Sequence, residues 1–446
     1  MDIPQDYKGK YFYHFTHVEN LDSILKNGFL CTNKKNKLKL EHTNVASESI
    51  QNRRSEMDVT ILPGEKVHDY VPFYLTTTNP MILSLSNQKN IDQPFLIFFG
   101  ISIEKILEPN VVFTDSSANT DIAPNFYTRP EDLAKLDWDS INSRKWGCKD
   151  NDDKHRRMSE VLIHQEVPLD WIDTIIVWNE NFKKEVLEIY ENNSCKPPKV
   201  EFQPHEGKYF YFTKFQLKGR GNETLVTGPY FLKSHYDKIT KKIVKNRSKN
   251  DQFLFEDINE ALTEIAKNFS VIEELNGIFE LETVNDVHSE NVSDHTIEVV
   301  NNLIKNDYFN ELENDEKQIV TLAAYLHDIG KGPASKWQDG KQPAYADHPA
   351  DSLKMLERIL SNDIKELSKE DIELICKLVG YHDILGDIVS RGRSKKELFN
   401  IIRNEKELNM LIALSIADVN AINNYWASNL ERALPELIEE VKENLT

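Results

Sequence analysis

The run Ala323-Ala324-Tyr325-Leu326-His327-Asp328-Ile329-Gly330-Lys331 ends an apolar helical pattern on a histidine and an aspartate, and nothing else in the chain constrains its fold as strongly. Two such residues at the end of an apolar helix must be paired, hydrated or bound to a cation. More of the same types recur nearby: Asp294-His295 in NVSDHTIEVV, His348 in DHPADS, His382 in VGYHD and Asp418 in LSIADVNA. Each falls in a separate expected helix or at its end. Ligands converging from several helices of a bundle are a common way to build a two-metal site. Imidazole with carboxylate suits Mn, Fe, Zn or Ni. The four cysteines (Cys31, Cys148, Cys195, Cys376) are scattered, which argues against a disulfide framework and against a thiolate zinc site.

The remaining sequence sets the organisation. At 446 residues the chain exceeds what one core holds comfortably, so two domains and a connector are expected. Residues 1–205 read as an α+β domain, with buried strands at FLIFFGISI (95–103) and DTIIVW (173–178). Helices are expected at VENLDSILKNG (18–28), capped by Gly28, and at FKKEVLEIYENN (182–193), with KPPKV (196–200) as a stop. Residues 206–285 read as a basic, aromatic-rich connector with a helix and a strand hairpin turning at Gly219-Arg220-Gly221-Asn222. Residues 286–446 read as an all-α domain. No apolar stretch reaches membrane-spanning length and MDIPQDYKGK is no signal peptide, so no membrane partner and a cytoplasmic location are expected.

The net charge of −19 disfavours nucleic acid as a partner of the whole surface, yet it is uneven. From Lys208 to Lys249 eleven Lys/Arg face two acids, Glu223 and Asp237. Tyr209, Tyr211, Phe212, Phe215, Tyr230 and Tyr236 are interleaved with these cations, the combination that single-stranded nucleic acid needs for stacking and phosphate neutralisation. Aromatics packed under a solvated hairpin give the same pattern.

The order H…HD…H…H…D resembles the HD-domain phosphohydrolases over roughly 286–430. The resemblance implies one divalent metal held by His295, His327, Asp328 and Asp418, a second joined by His348 and His382, and Lys331 near a substrate phosphate. Paired metals would clamp the oxygens of a phosphoryl displacement. A metal-bound but non-catalytic sensor of a nucleotide ligand is the alternative, as is a domain that reverses the chain's own modification.

Four N-terminal segments occur in a telling order: YFYHFTHVENLDSILKNGFL, SIQNRRSEMDV, VHDYVPFYLTTTNPM and RRMSEVLIHQEVPLDWI. Together with LDWDSI (136–141), Trp146 and the FTD of 113–115, they resemble the DarT family of ADP-ribosyltransferases over roughly residues 9–205. The resemblance implies an α+β ADP-ribosyltransferase fold and an enzyme that splits NAD and transfers ADP-ribose to a base of DNA, single-stranded in studied members. RNA is the alternative acceptor. It implies Glu160 and Arg54 as catalytic residues, His14 and Thr16 holding NAD, and Tyr70 and Tyr74 near the ribose or nicotinamide. The segment from about Ser116 to Ser159 is implied to meet the target. Here VPFY is followed by TTTNPM, where the family usually shows a basic turn. A separate antitoxin is a further implied partner, and a toxin or phage-defence role the implied setting. The chemistry suits the residues: a fixed carboxylate stabilises an oxocarbenium-like ribose, and a bidentate guanidinium positions the pyrophosphate or helps the acceptor base lose its proton.

Overall fold

The computed structural model describes residues 2–43, 48–119, 123–143, 145, 147–203, 208–215, 217–284 and 290–445. The chain forms two compact units, Met1–Ser86 with Ile91–Leu225, and Asn87–Asn90 with Val226–Thr446. The first is a mixed α+β unit and the second is all-α.

The first unit is built on eight strands: β1 (Tyr11–His17), β2 (Tyr70–Tyr74), β3 (Leu96–Ser102), β4 (Val111–Thr114), β5 (Phe126–Tyr127), β6 (Glu160–His164), β7 (Thr174–Ile176) and β8 (Lys199–Glu201). They form one sheet in the order β8-β7-β3-β1-β2-β6-β4-β5. The apolar run of β3 is buried on both faces, which suits its near-central place. Antiparallel pairing of β1 with β3 sets His14 opposite Phe99, while β2 pairs β6 with Tyr74 opposite Glu160. Phe12 and Phe73 meet edge to face at 5.2 Å in a core that also holds Phe29, Phe99, Val161 and Ile175.

Helix α1 (Asn20–Asn27) follows β1 directly and ends at Gly28, whose φ of 92° is left-handed backbone that favours glycine. Helix α2 (Glu48–Glu56) carries Arg54, and α3 (Glu180–Asn192) is capped by Asn179, which accepts from the Asn181 and Phe182 N–H groups. The expected stop at KPPKV is instead partly strand. Lys199–Glu201 runs parallel to β7 at the sheet edge, a place open to a segment just after proline.

The stretch expected as a connector over 206–285 is divided between the units. Residues 208–225 pack with the first: Tyr211 Oη donates to the Leu96 carbonyl at 3.0 Å and its ring meets Phe98 and Trp178 edge-on. Gln93 exchanges two 3.0 Å hydrogen bonds with the Phe212 backbone. The expected strand hairpin is a loop closed, among the described residues, by a single bridge, Thr213 to Thr224, because burial of Tyr211 and Phe212 rather than a ladder fixes it. The basic stretch beyond it is α4 (Pro229–Arg247), a helix of the second unit.

The second unit contains α4, α5 (Ile258–Lys267), α6 (Val292–Leu303), α7 (Asn314–Leu326), α8 (His348–Asn362), α9 (Lys369–Tyr381), α10 (Ile384–Arg391), α11 (Lys395–Ile401), α12 (Glu405–Ile422) and α13 (Asn424–Leu445). Capping follows the sequence closely. Asp257, Asn291, Ser368 and Asn404 accept from the N–H three residues on, and Ser368 forms a capping box with Asp371. Helix α12 is buried continuously from Met410 to Asp418, so α6 and α7 can pack on different faces of it. No helix among the described residues is long and apolar enough to cross a membrane.

Candidate active site and metal centre

In the first unit the chain places a carboxylate where a strand begins. Glu160 opens β6 and is 0% exposed. Its backbone N–H donates to Thr114 Oγ1 at 3.0 Å, tying it to β4. Arg54 reaches it from α2, with Nη1 on Oε1 and Nη2 on Oε2, both at 2.9 Å. The Ala118 N–H adds a third donor, to Oε1 at 2.9 Å. Two-toothed pairing of this kind is the strong form of a charge-assisted hydrogen bond. Burial acts against the Arg54 charge, but Glu160 beside it raises the guanidinium above its usual value. The neighbouring arginine, Arg53, is exposed, so the sequence pair splits into one buried and one solvated residue.

Tyr74 lies across from Glu160 in the sheet register, buried, with its hydroxyl 3.4 Å from Met81 Sδ. Burial first, and Glu160 second, push its phenol up and keep it protonated. His14, Thr16 and Tyr70 line a separate cavity with Asn20, Cys31 and Lys35. His14 Nδ1 stands 2.7 Å from the Pro72 carbonyl, which can only accept, so this nitrogen carries the proton. Burial of the ring beside Phe29 and Phe73 pushes His14 down to about 4, which leaves it neutral with Nε2 as an acceptor. Thr16 Oγ1 accepts from Asn20 Nδ2 at 2.9 Å. Lys35 was not singled out by sequence, since TNKKNK reads as a solvated run. The Ala118 donor is a backbone group and has no sequence signal.

Within the 116–159 segment, Trp138 stacks on Tyr7 at 5.1 Å and donates to the Leu133 carbonyl, so LDWDSI packs the segment's base. Asp115 of the FTD accepts from Asn125 Nδ2 and the Tyr127 hydroxyl. Trp146 lies outside the described residues.

In the helical unit all six expected ligands meet. Three groups form: His295, His327 and Asp328; His327, His382 and Asp418; and Asp328, His348 and His382, with the ligand atoms of each group within 4.8 Å of one another. His327 and His382 sit at the C-terminal caps of α7 and α9, and His348 begins α8. Each turns Nδ1 to the carbonyl three residues earlier: Ala324 at 2.7 Å, Val379 at 2.8 Å and Tyr345 at 2.7 Å. That commits Nδ1–H as donor and points the Nε2 lone pairs inward. Ser352 Oγ and Ser415 Oγ donate to the carbonyls of His327 and His382, each at 2.7 Å, fixing both caps. Gly330 lets α8 approach, since a Cβ there would meet the His348 carbonyl oxygen at 2.3 Å and the Ser352 nitrogen at 2.4 Å.

This donor set fits a metal. His348 Nε2 lies 3.0 Å from His382 Nε2, and two inward lone pairs at that distance need a cation or a proton between them. Burial lowers both rings, His348 to about 3. His327 Nε2 and Asp328 Oδ1 are buried with no hydrogen-bond partner. Burial alone would lower His327, but Asp328 and Asp418 override it and push it up to about 10. Lys331 Nζ sits 2.5 Å from Asp328 Oδ2, on a ligand carboxylate. Asp383, missed in the sequence, follows His382 and is held by Lys89 and by Arg393 at 3.1 Å.

A family model described as ssDNA thymidine ADP-ribosyltransferase, DarT, matches residues 13–211, and a model of the HD domain matches residues 292–419. A DNA ADP-ribosyl transferase of Thermus sp. (strain 2.9) is 31% identical over 183 residues, which is 40% of this chain and 85% of that protein. A bifunctional uridylyltransferase/uridylyl-removing enzyme of Ruegeria pomeroyi is 24% identical over 193 residues, 39% of this chain and 20% of that enzyme. The solved structure of Thermus sp. 2.9 DarT in complex with ADP-ribosylated ssDNA aligns at 26% identity and a TM-score of 0.42, over 48% of this chain and 99% of that one.

Proposed function

The chain belongs to the DarT family of ADP-ribosyltransferases, and from that premise we propose that it transfers ADP-ribose from NAD to a base of single-stranded DNA, with Glu160 and Arg54 at the reacting centre. The observation that carries the reading is the buried Glu160 carboxylate, held by Arg54 and the Ala118 N–H with one Oε2 lone pair still to give. That lone pair receives the 2′-hydroxyl of the ribose. As the nicotinamide–ribose bond breaks, nicotinamide leaves with the bonding pair, and the fixed carboxylate stabilises the positive charge growing on the sugar. A ring nitrogen of the acceptor base supplies the new pair to the same carbon and gives up its proton to solvent water. Arg54 fixes both carboxylate oxygens and so positions Glu160. His14 Nε2 accepts from a hydroxyl or amide of the dinucleotide in the cavity it shares with Thr16 and Tyr70, while Tyr74 stands opposite Glu160 in the sheet.

In the helical unit His295, His327, Asp328 and Asp418 would hold one divalent metal, with His348 and His382 joining Asp328 around a second. When bound, such ions supply Lewis acidity for a phosphate ester. The chain's contribution is orientation through the three Nδ1–carbonyl bonds, with Lys331 supplying positive charge beside Asp328. The unit then processes nucleotides or restrains the transferase, and the whole acts as a toxin or phage-defence effector.

The test incubates the full chain with labelled NAD and matched single-stranded DNA and RNA oligomers, with and without Mn²⁺. Label on DNA that vanishes in Glu160→Ala is expected. Labelling that survives in Glu160→Ala removes the assignment, and label on RNA alone moves the acceptor. Phosphodiesterase turnover lost in His327→Ala supports catalysis by the second unit, and its absence from the unsubstituted chain favours restraint.

A further inference from the structure

Two adjoining clefts of 620 Å³ and 450 Å³ run along α4 in the helical unit, from Tyr230 to Val244, about 21 Å of helix. They share Lys233, Asp237, Lys241, Tyr381, Asn400 and Ile401, so they form one elongated groove. Eight lysine and arginine side chains line it against three carboxylates, in a chain of net charge −19. Several of these cations are already spent: Lys233 on Asp237 at 2.6 Å, Lys377 and Arg403 on Glu407 at 2.5 and 2.6 Å. Lys238, Lys241 and Lys396 are exposed and carry no carboxylate partner among the described residues.

The groove floor supplies an independent sign of a ligand. Tyr381 is 1% exposed and lines both clefts, yet its hydroxyl is buried without a hydrogen-bond partner. An unpaired buried hydroxyl is costly, and a ligand acceptor would remove that cost. Glu397 Oε1, also buried without a partner, lines the first cleft and is an acceptor for an exocyclic amine. Tyr230 is 61% exposed at one end and offers a ring face for stacking.

We propose that this groove is a second nucleic-acid site, taking the phosphates of a single strand along Lys238, Lys241 and Lys396, with a base on Tyr230 and a hydrogen bond from Tyr381. The site is separate from Glu160 and from the metal ligands, although Tyr381 immediately precedes His382. It does not depend on which acceptor the first unit modifies. A strand rather than a free nucleotide fits the groove's length and the spread of its unpaired lysines.

The test is fluorescence anisotropy of the full chain with labelled dT12, without NAD, across 50–200 mM salt. Three neutralised phosphates give a log–log salt slope of about −2, roughly a 20-fold loss of affinity over that range. The variant Lys238→Glu/Lys241→Glu/Lys396→Glu should bind at least tenfold more weakly at 50 mM salt, with a slope reduced by about 2. Lys396→Glu alone should show about a third of that change, and Tyr381→Phe a several-fold loss. All should still label saturating oligomer from NAD, so failure of labelling in the unsubstituted chain tests the first site and leaves this one standing. Unchanged binding and slope in the triple variant overturn the proposal. So does competition by thymidine triphosphate, mole for mole, as strong as that by unlabelled dT12.

Discussion

Removing Arg54 should harm the first unit's stability as well as its chemistry. In Arg54→Met, Glu160 stays 0% exposed but loses two of its three donors, and Oε2 loses its partner. Stranding one member of a buried ion pair costs about 3–5 kcal/mol, against a total stability of about 5–15 kcal/mol for a domain. Replacing both members by apolar groups of similar volume is far milder, so Arg54→Met with Glu160→Leu should fall well short of the summed single effects, with coupling of about 2 kcal/mol or more. Because the chain has two units, whole-protein melting mixes their responses. Amide hydrogen exchange of peptides from β2 and β6 reads the opening of the first unit alone. Arg54→Met should speed that exchange by roughly two to three and a half decades, at about 1.4 kcal/mol per decade. Peptides from α7 and α12 should not change. Exchange accelerated less than tenfold, or single effects that simply add, would refute the view of a buried, mutually dependent pair.

Other outcomes follow from the geometry. Saturating Mn²⁺ or Zn²⁺ at 100 times its dissociation constant should stabilise the helical unit by about 2.7 kcal/mol, read by exchange in α7 and α9, and His382→Ala should abolish the gain. Gly330→Ala forces a Cβ against backbone atoms of His348 and Ser352, so it should weaken metal binding at least tenfold by isothermal titration, with Gly340→Ala as a control in open space that differs by its positive φ. His14 has a folded pKa near 4, below the ordinary 6.5, so neutral His14 favours the fold fully above pH 6.5 and the contribution is lost as pH falls through 4. The first unit should lose up to roughly 3 kcal/mol over that window, and His14→Gln should flatten the loss.

The cluster of histidines and aspartates in the helical unit was legible because these residues are conspicuous at the ends of apolar helices. Their number, order and separation survive translation into a bundle without knowledge of the packing. Glu160 and Arg54 became legible only through family likeness, since a charged residue opening a strand or ending a polar helix has many ordinary uses. Nothing in NRRSE tells which arginine turns inward; the sheet decides it. The edge strand Lys199–Glu201 was read as a stop because its partner, β7, lies about 25 residues earlier and local pattern carries no pairing. The loop around Gly219 was read as a hairpin because aromatics and a glycine turn look alike whether a ladder or a neighbouring core holds them. The connector dissolved for the same reason: Tyr211 and Phe212 serve the first unit's core, while Tyr236 serves the second's.

His327 and His382 end their helices and present ligands from the same position. Each added residue turns an α-helix by about 100° and lengthens it by about 1.5 Å. Inserting or deleting a single residue within α7 or α9 would therefore swing its histidine to another face and part it from the serine that holds its carbonyl. The lengths of these two helices are thus metered by the cluster they meet in, and a bundle of this kind can change length only in its loops, such as the stretch from Gly332 to Asp347, without disassembling its centre.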